Sequence, residues 1–396
     1  MALKRTFSRI IKWEYFWLCA IIAVTLAMHF SIIDEVATPI LDEVYYYGSV
    51  EGSAAGDANI ILNDHTDQRP EHPPLAKLII AGGIELLGDN PIGWRTPSII
   101  FGTMGIVLFY FICRRLNMSN RAANLATFLL AFENFTFLMS SIAMLDVFFL
   151  TLTLAFFLLY LHRQYITSGI FIGLAALAKL YAALATPTLF IHWIFSKTKP
   201  SRWFIATIIL APVSFVALMP LFDFIIYHEF KNPWSRIQEM LSLSGSLTFA
   251  NTTHPALSRP WEWLLNYRPM AFWYSPHYTG GLSFSIWILM IPVVLYMIYR
   301  AARGNDAGLF GFAWFLSTYI LWIPISIITD RVSFVYYFFP TIGALCIGLG
   351  LGLNQVLERV SAKTPKVRIP AIAGVVVFLV FHLVTFIVLS PVFFRG

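Results

Sequence analysis

The chain has 396 residues, 58% of them hydrophobic and 12% charged, against roughly 25% charged in soluble domains. With 36 Phe and 12 Trp, that balance excludes an ordinary soluble enzyme and points to a polytopic membrane protein. The formal net charge of +6 is a product of membrane topology, and no nucleic-acid partner is expected.

The first apolar run, near 14–33, follows Lys4, Arg5, Arg9 and Lys12 and has no small-x-small cleavage site. It reads as an uncleaved signal anchor. Further runs of a length that crosses a bilayer fall near 94–113, 122–139, 142–161, 166–180, 182–196, 203–222, 283–299, 308–328, 333–353 and 370–391, eleven in all. The fifth and sixth are short and form one stretch split by Pro187. With the N-terminus in the cytoplasm, alternation places Arg114, Arg115, Arg121, Arg163, Lys197, Lys199, Arg202, Arg300, Arg303, Arg359, Lys363, Lys366 and Arg368 inside with the N-terminal basic residues. Only Glu14, Asp306 and Glu358 of the 21 acidic residues join them. That is the positive-inside pattern. It leaves the C-terminus outside and puts two long segments, 34–93 and 223–282, on the outer face.

Chemistry is therefore expected at the outer surface of a single membrane domain, 1–396, of the cell membrane. In the first outer segment Asp42-Glu43 is followed by His72-Pro73-Pro74 and closed by Gly93-Trp94-Arg95. Two carboxylates beside a bilayer are costly to desolvate. Adjacent residues point in different directions, so one of the pair addresses the reacting atom and the other positions something. Asp34-Glu35, just past the first run, is a rival pair. Pro74–Leu87 is apolar but too short to span and reads as a helix in the interface, with Lys77 one turn from Pro73 and Pro74. Arg95 opens the second span, where it either reaches headgroups or holds a lipid phosphate.

Glu133 and Asp146 lie near the outer ends of the third and fourth runs, where a carboxylate usually faces the bundle interior. In the second outer segment Trp234–Leu247 and Trp261–Trp273 have the composition of a membrane-surface lid, with Arg268 among them. Asp330-Arg331 and Tyr336-Tyr337 open the tenth run from the outer side. Its glycines, Gly343, Gly348, Gly350 and Gly352, are expected to be helix-packing sites. The three cysteines, Cys19, Cys113 and Cys346, all sit in apolar runs and read as inert thiols. No spacing specifies a metal, although the converging acids leave a divalent ion open. Nothing in the sequence sets an oligomeric state.

Asp42-Glu43-Val44-Tyr45, HPPLAK at 72–77 and GDNPIGWRTPS at 88–98 together resemble the protein O-mannosyltransferase family of polytopic GT-C glycosyltransferases. The resemblance continues through ENFTFLMSSIAMLD at 133–146, RPWEW and YRP between 259 and 269, and DRVSFVYYFFP at 330–340. It implies an all-α polytopic fold of about eleven spans with two large outer loops. It also implies inverting transfer of mannose from a polyprenyl (dolichyl) phosphate to a Ser or Thr hydroxyl of a protein. Asp42 falls on the family's general base and Glu43 on the position thought to place the acceptor. Arg95 falls on an arginine associated with the lipid phosphate, with Arg331 and Lys77 as further cations and His72 and Tyr337 beside them. Eukaryotic members carry a β-trefoil domain in the second outer loop; residues 223–282 stand in its place, which leaves the acceptor open. Transfer of another lipid-linked sugar to a glycolipid is the alternative within the fold class. A transporter is the alternative outside it, disfavoured because the acids gather at one face rather than at the midplane.

Overall fold

The computed structural model describes residues 14–43, 60–67, 69–198, 200–275 and 277–393. The expectations resting on Lys4, Arg5, Arg9, Lys12, Val44, Tyr45 and Lys199 lie outside the described residues. Eighteen α-helices, a two-stranded hairpin and short 3₁₀ and π turns make up the described chain. In order they are α1 (Phe16–Ile32), α2 (Ile60–Asn63), α3 (Leu75–Leu87), α4 (Pro91–Arg115), α5 (Asn120–Ala131), α6 (Asn134–Ser141), α7 (Leu145–Leu161), α8 (Tyr165–Ala178), α9 (Thr186–Phe195) and α10 (Ile205–Tyr227). The second outer segment holds α11 (Pro233–Ser246), α12 (Glu262–Leu265), β1 (Met270–Trp273) and β2 (Tyr278–Gly280). Then follow α13 (Phe284–Trp287), α14 (Met290–Ala302), α15 (Asp306–Phe315), α16 (Trp322–Thr329), α17 (Ile342–Ser361) and α18 (Pro365–Leu389).

Each apolar run of the sequence coincides with helix. Five segments are long and apolar enough to cross a membrane: Pro91–Arg115, Arg202–Tyr227, Asp306–Thr329, Val335–Ser361 and Pro365–Leu389. α5 and α6 form a sixth as a pair bent by 58°, and five further apolar helices are shorter, at 10–17 residues. The break between the fifth and sixth runs is not at Pro187. α8 ends at Ala178, Lys179 is extended at φ −159°, and Pro187 sits in the first turn of α9, where its missing N–H costs no hydrogen bond.

Local chemistry sets the other boundaries. Asn90 caps α4 by accepting from Ile92 N and Gly93 N, ahead of Pro91. Ser119 caps α5, Glu133 caps α6 and Asn232 caps α11, each satisfying N–H groups that have no partner within the helix. The stretch 261–273, expected as part of a lid, departs from a helix after α12: Pro269 fixes its own φ and pushes Arg268 toward extended backbone. Met270–Trp273 then pairs antiparallel with Tyr278–Gly280.

α17 is the centre of the bundle: 89% of its apolar window is buried, against 22% for Pro365–Leu389 and 28% for Arg202–Tyr227 at the lipid-facing edge. Its glycines make that possible. A Cβ on Gly350 would stand 2.7 Å from the Ala122 carbonyl oxygen, and one on Gly343 would stand 2.3 Å from the Trp314 ring. α5 and α15 can lie against α17 only because Gly350 and Gly343, respectively, carry no side chain. α3 packs along α4, and α7 lies between α4 and α8. The loop after α1 thus meets the ends of α4, α7 and α8 at one end of the bundle.

Candidate active site

The loop 33–43 is fastened from below by one arginine. Arg95, one turn into α4 and 1% exposed, donates through Nε to Glu43 Oε1 at 3.1 Å and through Nη2 to Glu43 Oε2 at 2.9 Å. Its remaining donors go to the carbonyls of Ile33 (2.8 Å), Val36 (2.7 Å) and Thr38 (3.1 Å). Glu43 in turn accepts from Ile40 N at 2.6 Å and Ala143 N at 2.7 Å, tying the loop to the corner between α6 and α7. The expectation that Arg95 grips a lipid phosphate meets this geometry: its five N–H groups are all engaged by protein oxygens. Glu43, fully buried with both oxygens engaged, is likewise turned away from any acceptor.

Asp42 takes the opposite direction. It follows Leu41, which is held at φ +52°, a conformation a bulky L-residue rarely adopts. That left-handed residue reverses the chain, so Glu43 goes into the core while Asp42 stays half-buried in a crevice. No hydrogen bond to a described residue occupies its carboxylate. Burial raises its pKa above the usual carboxylate value, and Asp146 adds to that, while Arg69, Lys179 and His254 oppose it. Asp42 is therefore a carboxylate with no hydrogen bond to a described residue, lying in the field of Arg69 and Lys179.

The surrounding groups are drawn from distant segments. Lys179, at the extended break after α8, is held by both oxygens of Asp146 at 2.8 Å. It also lies 5.2 Å from the Tyr337 ring and 5.7 Å from the Tyr336 ring, close enough for cation–π attraction. Tyr181 supports this corner by donating to the carbonyls of Thr318 and Tyr337. Arg331 donates to the Ser244 carbonyl at the end of α11 and pairs with Thr248 across a backbone bridge. His72 lies in the field of the same cations: burial first, then Lys179, Lys77, Arg331 and Arg69, hold its pKa well below the ordinary value, so the imidazole is neutral. Lys77 is a scaffold rather than a free cation, donating to Asp67 and to the carbonyls of Arg69 (3.0 Å) and His72 (2.9 Å). It fixes the 69–72 turn that presents Arg69 and His72.

Two expected pocket residues lie elsewhere. Glu133 is fully buried, capping α6 through Thr136 N at 2.8 Å and accepting from Ser283 N at 3.0 Å. Arg268 pairs with Glu262 at 3.4 Å in the second outer segment. The rival pair Asp34-Glu35 is exposed. Among the described residues there is no group of three or more His, Cys, Asp and Glu that could hold a metal ion.

Residues 71–227 match the family model for dolichyl-phosphate-mannose-protein mannosyltransferase. A polyprenol-phosphate-mannose–protein mannosyltransferase of Corynebacterium glutamicum is 24% identical over 97% of this chain and 91% of its own length. The chain is thus similar to protein O-mannosyltransferases, through its 71–227 segment in sequence and through almost its whole length in fold. A relative of the same name from Mycobacterium tuberculosis is 21% identical over 84% of this chain and 79% of its own. In fold, the chain superposes on the Saccharomyces cerevisiae Pmt1-Pmt2 complex bound to the sugar donor with a TM-score of 0.72, at 12% identity, covering 96% of this chain and 90% of that one. ArnT from Cupriavidus metallidurans bound to undecaprenyl phosphate follows at a TM-score of 0.55 and 14% identity, covering 96% of this chain and 77% of that one.

Sequence reasoning passed over three residues whose charges act on Asp42: Lys179, Arg69 and His254. Lys179 had a readable signal. It is the lone charge in AALAKLYAALA, and a lysine inside an apolar run is expensive unless partnered and used. Arg69 and His254 sit in polar loops, where one more charge is unexceptional.

Proposed function

We propose that this chain transfers mannose, with inversion, from a polyprenyl phosphate to Ser or Thr hydroxyls of proteins at the extracytoplasmic face of the cell membrane. The observation that carries the site assignment is the unpaired Asp42 carboxylate facing Arg69, Lys179 and His254. Asp42 is the general base. The serine oxygen attacks the anomeric carbon and gives its proton to Asp42. The bond from that carbon to the phosphate oxygen breaks, and its electron pair leaves with the polyprenyl phosphate. The leaving phosphate gains charge as the bond breaks, so cations aimed at it bind the transition state better than the ground state. Lys179 and Arg331 take that part, with Arg69 and neutral His72 beside them and Tyr337 walling the sugar side. Arg95 and Glu43 hold the loop that carries Asp42.

A free Ser hydroxyl is far too weak an acid to be ionised beforehand by a carboxylate whose ordinary pKa is about 4. Proton transfer therefore accompanies bond formation, a contribution of about 10²–10⁴ in rate. The raised pKa of Asp42 makes it the stronger base. The test is Asp42→Asn in proteoliposomes supplied with polyprenyl-phosphate-[³H]mannose and a Ser/Thr-rich peptide. Loss of labelled peptide with normal insertion is expected. Near-normal turnover removes Asp42 from the chemistry, and label appearing only in lipid makes the acceptor a glycolipid.

A further inference from the structure

The end of the bundle away from Asp42 holds a second polar cavity. α4 runs from Arg95 to Arg115, about 30 Å at 1.5 Å per residue, and α7 runs the same way from Asp146 to Leu161. Where they end, a cavity of about 230 Å³ is lined by Arg115, Asn117, Tyr160, Arg163, His192 and Asp306. Its floor is a closed chain of hydrogen bonds. The Tyr160 hydroxyl lies 3.1 Å from His192 Nδ1, and His192 Nε2 lies 3.2 Å from Asp306 Oδ1. That oxygen also accepts from Ser196 Oγ at 2.8 Å.

Its rim is unspent. Arg115 uses Nε on the Leu161 carbonyl at 3.1 Å, which leaves both Nη groups without a described acceptor. Arg163 makes no side-chain bond or ion pair with any described residue, and both side chains are exposed. Arg163 also strains the backbone. It follows the cap of α7 at φ +63°, and the helix closes through Arg163 N to Tyr160 O at 2.8 Å and Gln164 N to Leu159 O at 2.9 Å. This is the helix-ending position that glycine fills most cheaply, because an L side chain at positive φ crowds its own carbonyl. The end of α4 repeats the motif with Asn117 at φ +59°, a residue that tolerates it better. An arginine standing where glycine is preferred, with no side-chain bond to a described residue and beside a second arginine with donors to spare, faces an outside partner. Two guanidinium groups against one carboxylate call for an anion. Trp203, 73% exposed and close in sequence to Pro200 on the rim, has the placement of a residue at headgroup level.

We propose that this cavity binds the phosphate of an anionic phospholipid headgroup, with Arg115 and Arg163 donating to its oxygens. The charge distribution along the chain puts it in the inner leaflet, and basic pockets between membrane helices on that side are suited to such lipids. The site stands apart from the transferase crevice.

Arg163→Gly is the informative variant, because glycine relieves the backbone while removing the cation. Purified protein in neutral detergent is titrated with phosphatidylglycerol, phosphatidylcholine or inorganic phosphate, and the thermal midpoint is read. Phosphatidylglycerol should raise the wild-type midpoint and phosphatidylcholine should not. Arg163→Gly should melt higher than wild type without lipid yet need about tenfold more phosphatidylglycerol for half its shift, the loss of a charge-assisted hydrogen bond. Arg115→Gln should lose the shift similarly. Mannose transfer at saturating donor should be unchanged in Arg163→Gly. Equal shifts with both lipids, unaltered titrations in both variants, or inorganic phosphate reproducing the effect would each overturn the assignment.

Discussion

Arg95→Ala should cost folding stability rather than donor affinity. The guanidinium makes two bonds to Glu43 and three to the carbonyls of Ile33, Val36 and Thr38, with 1% of the side chain exposed. Truncation leaves the Glu43 carboxylate buried with only the N–H groups of Ile40 and Ala143 and strips three carbonyls of their partner. Breaking a buried pair by removing one member costs about 3–5 kcal/mol, a large share of the roughly 5–15 kcal/mol that holds a typical domain together. The measurement is the thermal midpoint of the purified protein, followed by tryptophan fluorescence, beside the donor KM and kcat of whatever folds. A lower midpoint is expected, with kcat reduced at every donor concentration because the loop bearing Asp42 is loosened. The double variant Arg95→Met/Glu43→Leu should recover only the part lost by stranding the carboxylate, because the carbonyls of Ile33, Val36 and Thr38 and the N–H groups of Ile40 and Ala143 stay unpaired. An unchanged midpoint with a raised donor KM and intact kcat would refute this and return Arg95 to the phosphate.

Asp42→Asn should abolish transfer while raising the melting temperature. The raised pKa of Asp42 means that the folded protein favours the protonated form, so its contribution to stability is present at low pH and lost as pH rises through the folded pKa. The gain from Asn should therefore be larger at pH 8 than at pH 4. For the same reason the acidic limb of kcat/KM should lie above the ordinary carboxylate range, activity rising with pH as Asp42 ionises. Lys179→Met should raise donor KM and lower stability by stranding Asp146. Lys179→Met/Asp146→Leu should restore the midpoint but not donor use, and recovery of both would make the pair purely structural. Gly350→Ala should destabilise by about 1–3 kcal/mol, because a Cβ there meets the Ala122 backbone at 2.7 Å; an unchanged thermal midpoint would show that α5 can move aside.

The helical bundle and its crowded tenth run were legible because apolar length and glycine spacing report directly on spans and packing. Asp42-Glu43 was legible as a pair with divided labour, since neighbours must point apart. Which cation is wholly engaged by loop backbone and which lies near Asp42 was not legible. Arg95 opens an apolar run and Lys179 lies inside one, and sequence cannot tell that the first is engaged by loop carbonyls and Glu43 while the second is held by a single carboxylate. The difference lies in three carbonyls of loop 33–43 and the Asp146 carboxylate, partners set by tertiary contact. The hairpin at 270–280 was missed because its strands are four and three residues long, too short for an alternating pattern to stand out beside so many aromatics.

Ion pairs around the crevice include Arg95–Glu43, Lys179–Asp146, Lys77–Asp67 and Arg69–Glu71, and the first two join segments 52 and 33 residues apart. Their common effect is to neutralise buried charge while fixing loop backbone, which water would otherwise solvate in many arrangements. Asp42 is the carboxylate among them that is left unmatched by a hydrogen bond, and the left-handed Leu41 keeps it so by separating it from Glu43. A carboxylate already matched to a cation would be a weaker base, because pairing lowers its pKa. The scaffold thus does opposite things to neighbouring residues: it satisfies Glu43 fully, which fastens the loop, and it leaves Asp42 without a hydrogen bond to a described residue, the condition that the proposed general base requires.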